Sequence, residues 1–289
     1  MNHYIHNLDP IIFSIGPLSV RWYGVMYLVG FTAAYLLLNR RYKQGLCALN
    51  SIQIQDIITY LLAGMLIGAR SVYVFVYSPE ILKDGFFNIF AVWQGGLSYH
   101  GAALGFTVAM ALYGRRHKIG FLHLADNVTI GAALGVFFGR IGNFINGELY
   151  GRATDLPWGV IFPDGGPHPR HPSQLYQGIC EGLIVLLVLT LINKYEILKG
   201  FAPHPSEKLS GKNKTKKWRR TGILASWYCI LYGLARFLIE FVREPDAQLG
   251  YYFGWMTMGQ ILCLLMIAIG TIVLIWRIRK PVAIEYEVN

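Results

Sequence analysis

The sequence has few charged residues for its length. Of its 289 residues, 15% are Asp, Glu, Lys or Arg, and 54% are hydrophobic. Soluble domains usually carry about 25% charged residues. The low charge and the long apolar runs therefore argue against a soluble protein and favour a chain that lies in a membrane.

Paired cysteines and a cleavable leader are also missing. The four cysteines form no C-x-x-C motif, and three of them lie in apolar stretches. We interpret them as small buried apolar residues and predict no metal site. Residues 1–10 lack the basic and apolar segments of a signal peptide. The first long apolar segment is therefore expected to stay in the protein as a signal-anchor span.

The positive charge is high, but its distribution does not favour a nucleic-acid partner. The formal net charge is +10. Basic residues stand in short clusters between apolar runs, and the sequence shows no basic face or groove-reading motif. Such clusters are typical of the cytoplasmic side of a bilayer. We therefore predict the lipid bilayer as a partner and no nucleic acid.

Seven apolar stretches approach the length of about 20 residues that a membrane-spanning helix needs. They lie near Trp22–Leu38, Ile57–Tyr77, Leu97–Tyr113, Leu124–Ile141, Leu175–Ile192, Ile223–Phe241 and Met258–Trp276. The sequence thus predicts an all-α integral membrane protein, a bundle of seven transmembrane helices that forms a single domain over residues 1–289. The shorter apolar segment Pro10–Val20, interrupted by Gly16-Pro17, is expected to be an interfacial N-terminal arm.

Lysine and arginine are divided unevenly between the two sets of loops. The loops after the first, third, fifth and seventh spans hold eighteen of them, and the opposite side holds four. Because basic loops stay in the cytoplasm, we predict a periplasmic N-terminus and a cytoplasmic C-terminus. A small periplasmic cap at about 142–174 and a basic cytoplasmic loop at about 194–221 are expected. The basic loop is either a solvated topological signal or a weak binder of anionic head groups.

Small residues recur at four-residue spacing within several spans. Examples are the pairs Gly64/Gly68 and Gly101/Gly105. This spacing lets helix backbones approach closely inside a membrane bundle. It predicts tight helix packing and carries no information about chemistry.

Charged side chains inside the spans are the most informative feature. An arginine at the bilayer centre costs about 2.5–3.5 kcal/mol on insertion scales, so such residues usually face the bundle interior and have partners. Four arginines and four acids lie in or near the spans: Arg70, Arg140, Arg236, Arg243, Asp126, Glu148, Glu181 and Glu240. In the predicted orientation, Tyr23, His100, Arg140 and Glu240 belong to the outer halves of their helices. The sequence therefore predicts a polar site toward the periplasmic leaflet.

The densest polar run spans residues 139–151 and reads G-R-I-G-N-F-I-N-G-E-L-Y-G. Glycine permits close approach of backbone to a ligand, and the planar fork of arginine suits a phosphate group. Asparagine amides can bind a glycerol hydroxyl or cap a helix. A phosphate site away from bulk water would need these residue types.

Each polar residue also has a structural interpretation. His100 could be a hydrogen-bonded interior histidine rather than a base. Arg236 and Glu240, spaced i,i+4, could be a structural ion pair. Tyr23 could be an interfacial aromatic anchor, and Asn143 could be a helix cap. The convergence of all five on one leaflet favours a functional site.

Other residues favour structural roles. Arg70 is expected to be a structural partner more than a site residue, and Ser173, after Pro172, is placed to be the N-cap of the fifth helix. The remaining seven histidines stand at termini, in loops or at helix starts and predict no chemistry.

Several other function classes find no support. The sequence contains no G-x-S-x-G motif of a serine hydrolase, and no soluble strand precedes the glycines as a dinucleotide site requires. No internal repeat supports a transporter. A purely structural scaffold would not need buried arginines.

The order of these motifs resembles that of the bacterial prolipoprotein diacylglyceryl transferases. The strongest match is the run at 139–151. Four further matches read R-W-Y-G-V-M-Y at 21–27, G-G-L-S-Y-H-G at 95–101, R-H-P-S-Q-L-Y at 170–176 and R-F-L-I-E-F-V-R at 236–243. The terminal run M-G-Q at 258–260 also fits, and the resemblance runs in order from residue 10 to about residue 280.

The resemblance implies a reaction and its partners. It implies transfer of the sn-1,2-diacylglyceryl group from phosphatidylglycerol to the lipobox cysteine of a prolipoprotein, with release of glycerol 1-phosphate. This is the first step of bacterial lipoprotein maturation. The implied location is the inner membrane, and no metal or organic cofactor is expected.

The resemblance, taken with the chemistry of the reaction, gives each site residue an expected role. Arg140 and Arg236 would bind the phosphate, whose charge must be stabilised as it leaves. His100 would accept the proton of the thiol, because the thiolate is the reactive form of cysteine. The other implied site residues are Tyr23 as catalytic, and Asn143, Glu148, Gly151 and Glu240 as substrate-binding.

Overall fold

The protein is mostly helical. The structure is a computed structural model, and it describes residues 3–16, 18–82, 85–90, 96–198, 216–244, 252 and 254–287. The helices are α1 Trp22–Lys43, α2 Ser51–Val72, α3 Tyr99–His117, α4 Phe121–Ile145, α5 Ser173–Gln177, α6 Val185–Leu198, α7 Ile223–Ile239 and α8 Met258–Arg279. A π-helical turn, Tyr73–Tyr77, extends α2, and another, Gly178–Ile184, joins α5 to α6.

Among the described residues, five helical segments are long and apolar enough to cross a membrane. They are Trp22–Lys43, Ser51–Tyr77, Phe121–Ile145, Ser173–Glu196 and Met258–Arg279. The two other stretches that the sequence predicts as spans are also helical, as α3 and α7, and α7 is apolar but only 17 residues long. The protein is therefore a multi-pass membrane protein, while the count of seven spans stays a prediction.

Six short strands accompany the helices in the part of the chain that the structure describes. They are β1 Tyr4–Ile5, β2 Ile11–Ile15, β3 Leu18–Arg21, β4 Val160–Ile161, β5 Lys216–Arg220 and β6 Ala283–Glu287. The expected N-terminal arm is a hairpin of antiparallel β2 and β3, in which Phe13 and Ile15 are exposed. Strand β1 pairs in parallel with β4, and β5 pairs antiparallel with β6. Most of the predicted basic loop, residues 199–215, lies outside the described residues.

The chain divides into two compact units, and the smaller comprises residues 49–125. In it, α2 and α3 pack through glycines, as the four-residue spacing predicts. A methyl group at Gly64 would lie 2.6 Å from both the Ala109 Cβ and the Gly105 carbonyl oxygen. The absence of side chains at these positions therefore allows the two backbones to touch.

Arg70 has a structural role in this smaller unit. Its guanidinium group donates to three carbonyl oxygens, at 2.6 Å to Asn88, 2.8 Å to Ile89 and 3.1 Å to Gly96. It also lies over the ring of Tyr73. Arg70 thus supplies hydrogen-bond donors to backbone carbonyl oxygens of the segment before α3. This agrees with the structural interpretation of the residue.

The larger unit comprises residues 1–48 and 126–289. A buried carboxylate, Asp126, stabilises the start of α7 by accepting from the backbone N–H groups of Gly222 at 2.7 Å and Ala225 at 2.9 Å. These donors have no partner within the helix, so the carboxylate replaces a cap. Helices α7 and α8 pack closely at Gly233 and Gly270, where a methyl group would overlap neighbouring atoms.

Candidate active site

The segment at 139–151 forms the end of α4 and the turn after it. Arg140 and Asn143, three residues apart, share one face of the helix, and the Arg140 Nη1 lies 3.5 Å from the Asn143 Oδ1. The chain then turns through two positive φ angles, 69° at Gly147 and 57° at Leu149. This turn brings the Glu148 carboxylate back to accept from Asn143 Nδ2 at 2.7 Å.

The end of α7 contributes a second charged group. The Arg236 Nη1 lies 2.6 Å from Glu240 Oε2, and the Arg243 Nη1 lies 3.6 Å from Glu240 Oε1. The hydroxyl of Thr257, just before α8, donates to the same Oε1 at 3.0 Å. Glu240 is only 3% exposed, and a methyl group at Gly259 would lie 2.8 Å from its Oε1. The predicted ion pair of Arg236 and Glu240 is confirmed.

A third element links these two groups. Glu181 lies in the π-helical turn between α5 and α6, and its side chain is completely buried. Its Oε2 lies 3.5 Å from Arg140 Nη2, and its Oε1 lies 3.9 Å from Arg236 Nε. One carboxylate therefore brings the arginines of α4 and α7 together. Both arginine side chains remain partly exposed, at 19% and 16%.

Tyr23 lies at the start of α1 and packs against the same end of α4. Its ring would contact a methyl group at Gly142 at 3.2 Å, so the glycine allows the two helices to approach. The Tyr23 hydroxyl lies 3.0 Å from the hydroxyl of Tyr27. Tyr23 thus adjoins the segment that carries Arg140 and Asn143.

Gly151 lies where the segment after α4 meets the chain after α7. It pairs with Arg243 in an antiparallel bridge, and its N–H donates to the His171 carbonyl oxygen at 2.8 Å. A methyl group here would lie 2.7 Å from the His171 Cβ and closer still to the Val242 carbonyl oxygen. Only glycine fits at this crossing of three backbone segments.

The segment 151–172 is held by its own polar contacts. Arg170 donates to the Gly165 carbonyl oxygen at 2.6 Å and pairs with Glu244. Arg152 donates to the Arg243 carbonyl oxygen at 3.0 Å. Burial lowers the pKa of His171 below its ordinary value, so this imidazole is neutral at pH 7 and does not add to the charge of the site.

His100 lies in the smaller unit, in the first turn of α3. Its Nδ1 is 3.4 Å from the hydroxyl of Tyr77, and Ser98 caps the same helix by accepting from the Gly101 N–H at 3.1 Å. The interior-histidine interpretation does not hold for this residue, because His100 is exposed. Its role as a base stays a prediction.

Sequence reasoning missed several residues of the site. It counted Glu181 and Arg243 among the intramembrane charges but gave neither a role, and it gave no role to His6. His6 is 3% exposed, and its Nε2 lies 2.7 Å from the Phe144 carbonyl oxygen beneath the turn at Gly147. A lone carboxylate in an otherwise apolar stretch was the signal that could have identified Glu181.

The prediction for Ser173 was wrong. Pro172 occupies the N-cap position of α5, and no side chain caps the helix there. The Ser173 hydroxyl donates instead to the Leu149 carbonyl oxygen at 2.9 Å, and the Gln174 amide donates to the Glu148 carbonyl oxygen at 2.6 Å. Both side chains therefore hold the turn after α4 rather than their own helix. Asn143 lies within α4, so it is not a helix cap either.

The fold and the site together define a class of protein. The chain has several membrane-spanning helices, and the larger unit gathers three arginines and three carboxylates at the ends of α4 and α7. A partly exposed arginine pair at the ends of membrane helices suits an anionic ligand in a site with little water. The protein is thus a multi-pass membrane protein with a polar site suited to an anionic group.

Comparisons with known proteins identify the family. The family model described as prolipoprotein diacylglyceryl transferase matches residues 10–276. A phosphatidylglycerol–prolipoprotein diacylglyceryl transferase of Nitratidesulfovibrio vulgaris is 43% identical over 273 residues, which cover 94% of each chain. Proteins of the same name from Pseudomonas paraeruginosa and Photobacterium profundum are 39% and 40% identical, over 96% and 93% of each chain. The chain belongs to the prolipoprotein diacylglyceryl transferase family.

Replacing Gly151 by alanine is expected to abolish most of the activity and to lower the thermal stability. The added methyl group overlaps the Val242 carbonyl oxygen, a backbone atom, and the His171 Cβ, the first atom of a side chain, and neither is the flexible end of a side chain. Overpacking of this kind typically costs about 1–3 kcal/mol. The measurement is thermal unfolding in detergent, together with turnover per folded molecule.

The matched control is Gly135→Ala on α4, where a methyl group meets no atom within 4 Å. It should leave both quantities unchanged. Equal thermal stability and equal turnover of the two variants would contradict the steric explanation for Gly151.

Proposed function

We propose that this protein transfers the sn-1,2-diacylglyceryl group of phosphatidylglycerol to the thiol of a prolipoprotein lipobox cysteine. The products are a thioether-linked diacylglyceryl prolipoprotein and glycerol 1-phosphate. The observation that carries the proposal is the pair of guanidinium groups of Arg140 and Arg236, which share the Glu181 carboxylate at the ends of their helices. The names of the relatives supply the substrates.

The site is proposed to face the periplasmic leaflet of the bacterial inner membrane. Arg140 lies in the last turns of α4 and Arg236 in the last turn of α7, and basic clusters precede both helices in the sequence. Because basic loops stay in the cytoplasm, both helices would run outward. This places the arginines at the depth of the outer phospholipid head groups, with the N-terminus outside and the C-terminus inside.

The arginine pair would stabilise the leaving group. In the reaction a C–S bond forms as the C–O bond between the diacylglyceryl carbon and the phosphate oxygen breaks, and that oxygen gains negative charge. Guanidinium groups of Arg140 and Arg236 offer charged donors to such an oxygen in a site of low dielectric constant. Their partial exposure leaves room for contact with a lipid head group.

The neighbouring residues would fix the head group and the arginines. Asn143 and Glu148, already hydrogen-bonded to each other, are placed to orient the glycerol hydroxyls. Glu240 holds Arg236 by its ion pair. Tyr23 packs against the end of α4. Gly151 allows the segment 151–172 to pack against the chain that follows α7. These roles follow from the contacts of each residue and from the family's chemistry.

The thiol proton needs an acceptor, because the thiolate is the nucleophile. His100 is the proposed base, since it lies in the first turn of α3 and is accessible. In the proposed orientation this turn is at the periplasmic end of the helix. The proton would pass to the imidazole as the sulfur attacks, and glycerol 1-phosphate would leave.

The Arg140→Ala protein is expected to lose turnover by about 10²- to 10³-fold, the usual effect of removing one donor to a developing anion. The assay measures release of glycerol 1-phosphate from purified protein, phosphatidylglycerol and a lipobox peptide. Arg279→Ala, at the other end of α8 from Thr257, is the control and should retain turnover. Wild-type turnover in the Arg140 variant would remove its role in binding phosphate.

The His100→Gln protein tests whether His100 is the base that accepts the thiol proton. Glutamine keeps a hydrogen-bonding side chain but cannot accept the proton, so turnover should fall by about 10²- to 10⁴-fold. His117→Gln, at the opposite end of the same helix, is the matched control. If His100→Gln turned over as the wild type does, the arginines alone would have to make the thiol acidic enough to react.

A further inference from the structure

Glu181 is buried in a distorted part of its helix. The π-helical turn Gly178–Ile184 widens the helix at this point, and π-turns inside helices are frequent at functional sites. Two glycines of this turn face α4, where a methyl group at Gly182 would lie 2.9 Å from the Phe137 Cβ and one at Gly178 would lie 3.5 Å from the Arg140 Cβ. The glycines thus let this helix approach α4 closely enough for Glu181 to reach Arg140.

The carboxylate of Glu181 lies between two guanidinium groups from different helices. One oxygen is 3.5 Å from Arg140 Nη2, and the other is 3.9 Å from Arg236 Nε. With no exposed surface, Glu181 cannot contact a substrate, whereas the two arginines are partly exposed.

Two guanidinium groups that face one phosphate repel each other before the phosphate arrives. In a buried site this repulsion is large, because the effective dielectric constant is low. A carboxylate that contacts both offsets the repulsion and fixes the direction of each planar fork. Glu240 contacts Arg236 and Arg243, whereas Glu181 contacts both Arg140 and Arg236 and so joins them.

We propose that Glu181 is a positioning residue that holds Arg140 and Arg236 as one pair in the geometry required by the phosphodiester of the lipid substrate. This proposal rests on the proposed function. Glu181 acts through its contacts with the two arginines and does not itself contact the lipid. Its effect is expected on the transition state more than on binding, because the orientation of the two guanidinium groups matters most when negative charge develops on the leaving oxygen.

The test compares two variants of Glu181 with a control from the same helix. Glu181→Gln has the same shape without the charge, and Glu181→Asp keeps the charge on a shorter side chain. The control is Glu196→Gln, since Glu196 is a buried carboxylate paired with Arg220 at 2.6 Å. For each protein, kcat and the KM for phosphatidylglycerol are measured by release of glycerol 1-phosphate, and the folded fraction by thermal unfolding.

Glu181→Gln is expected to lower kcat by about 10- to 100-fold per folded molecule, since a displacement of roughly 1 Å can cost about 100-fold. Its KM for phosphatidylglycerol should be unchanged or lower. Glu181→Asp should regain much of the lost kcat, and Glu196→Gln should keep the wild-type kcat per folded molecule. The Gln and Asp variants together separate the effect of the charge from the effect of the side-chain shape. The Glu196 variant and the folded fraction separate an effect on positioning from an effect on stability.

The proposal is overturned if Glu181→Gln retains the wild-type kcat and KM. It is also overturned if the Gln and Asp variants lose equal activity in proportion to their folded fraction, because that result indicates only a structural role. The wild-type protein provides the separate test of the proposed function. If it released no glycerol 1-phosphate, the function itself would fail, independently of Glu181.

Discussion

The structure of the site depends on the cost of placing guanidinium charge inside a membrane. An arginine in a span persists only where a partner offsets that cost. Here Glu181 reaches Arg140 and Arg236, and Glu240 reaches Arg236 and Arg243. The carboxylates thus allow the arginines to be largely withdrawn from the surface, and the arginines allow Glu181 and Glu240 to be buried. Neither the arginines nor the carboxylates would be stable in these positions without the other group.

These ion pairs determine which helix ends must lie next to one another. The partners belong to α4, to α7 and to the widened turn between α5 and α6, so these elements must come within a few ångströms of one another. Glycines at 151, 182 and 259 allow the approach, because a side chain at any of them would overlap backbone or a paired carboxylate. Packing and electrostatics therefore impose the same geometry, in which the Arg140 and Arg236 side chains remain partly exposed.

Apolar length was sufficient to predict the helices, five of which are long and apolar enough to cross a membrane, because a span is a local property of the sequence. The ion pair of Arg236 and Glu240 was also predictable, since its i,i+4 spacing lies within one helix. Glu181 could not be given a role, because its partners are 41 and 55 residues away in the chain and meet it only through tertiary packing. Ser173 was misassigned for a similar reason, since its hydroxyl serves the turn after α4 rather than its own helix.

The most direct test of this account measures whether the arginines contact the phosphorus of the lipid. Protein labelled with ¹⁵N in its arginine side chains is placed in phosphatidylglycerol bilayers, and ¹⁵N–³¹P dipolar dephasing is recorded by solid-state NMR. The account predicts short-range dephasing that is clearly reduced in a folded protein with both Arg140 and Arg236 replaced by glutamine. Equal dephasing in the wild-type and doubly substituted proteins would contradict it.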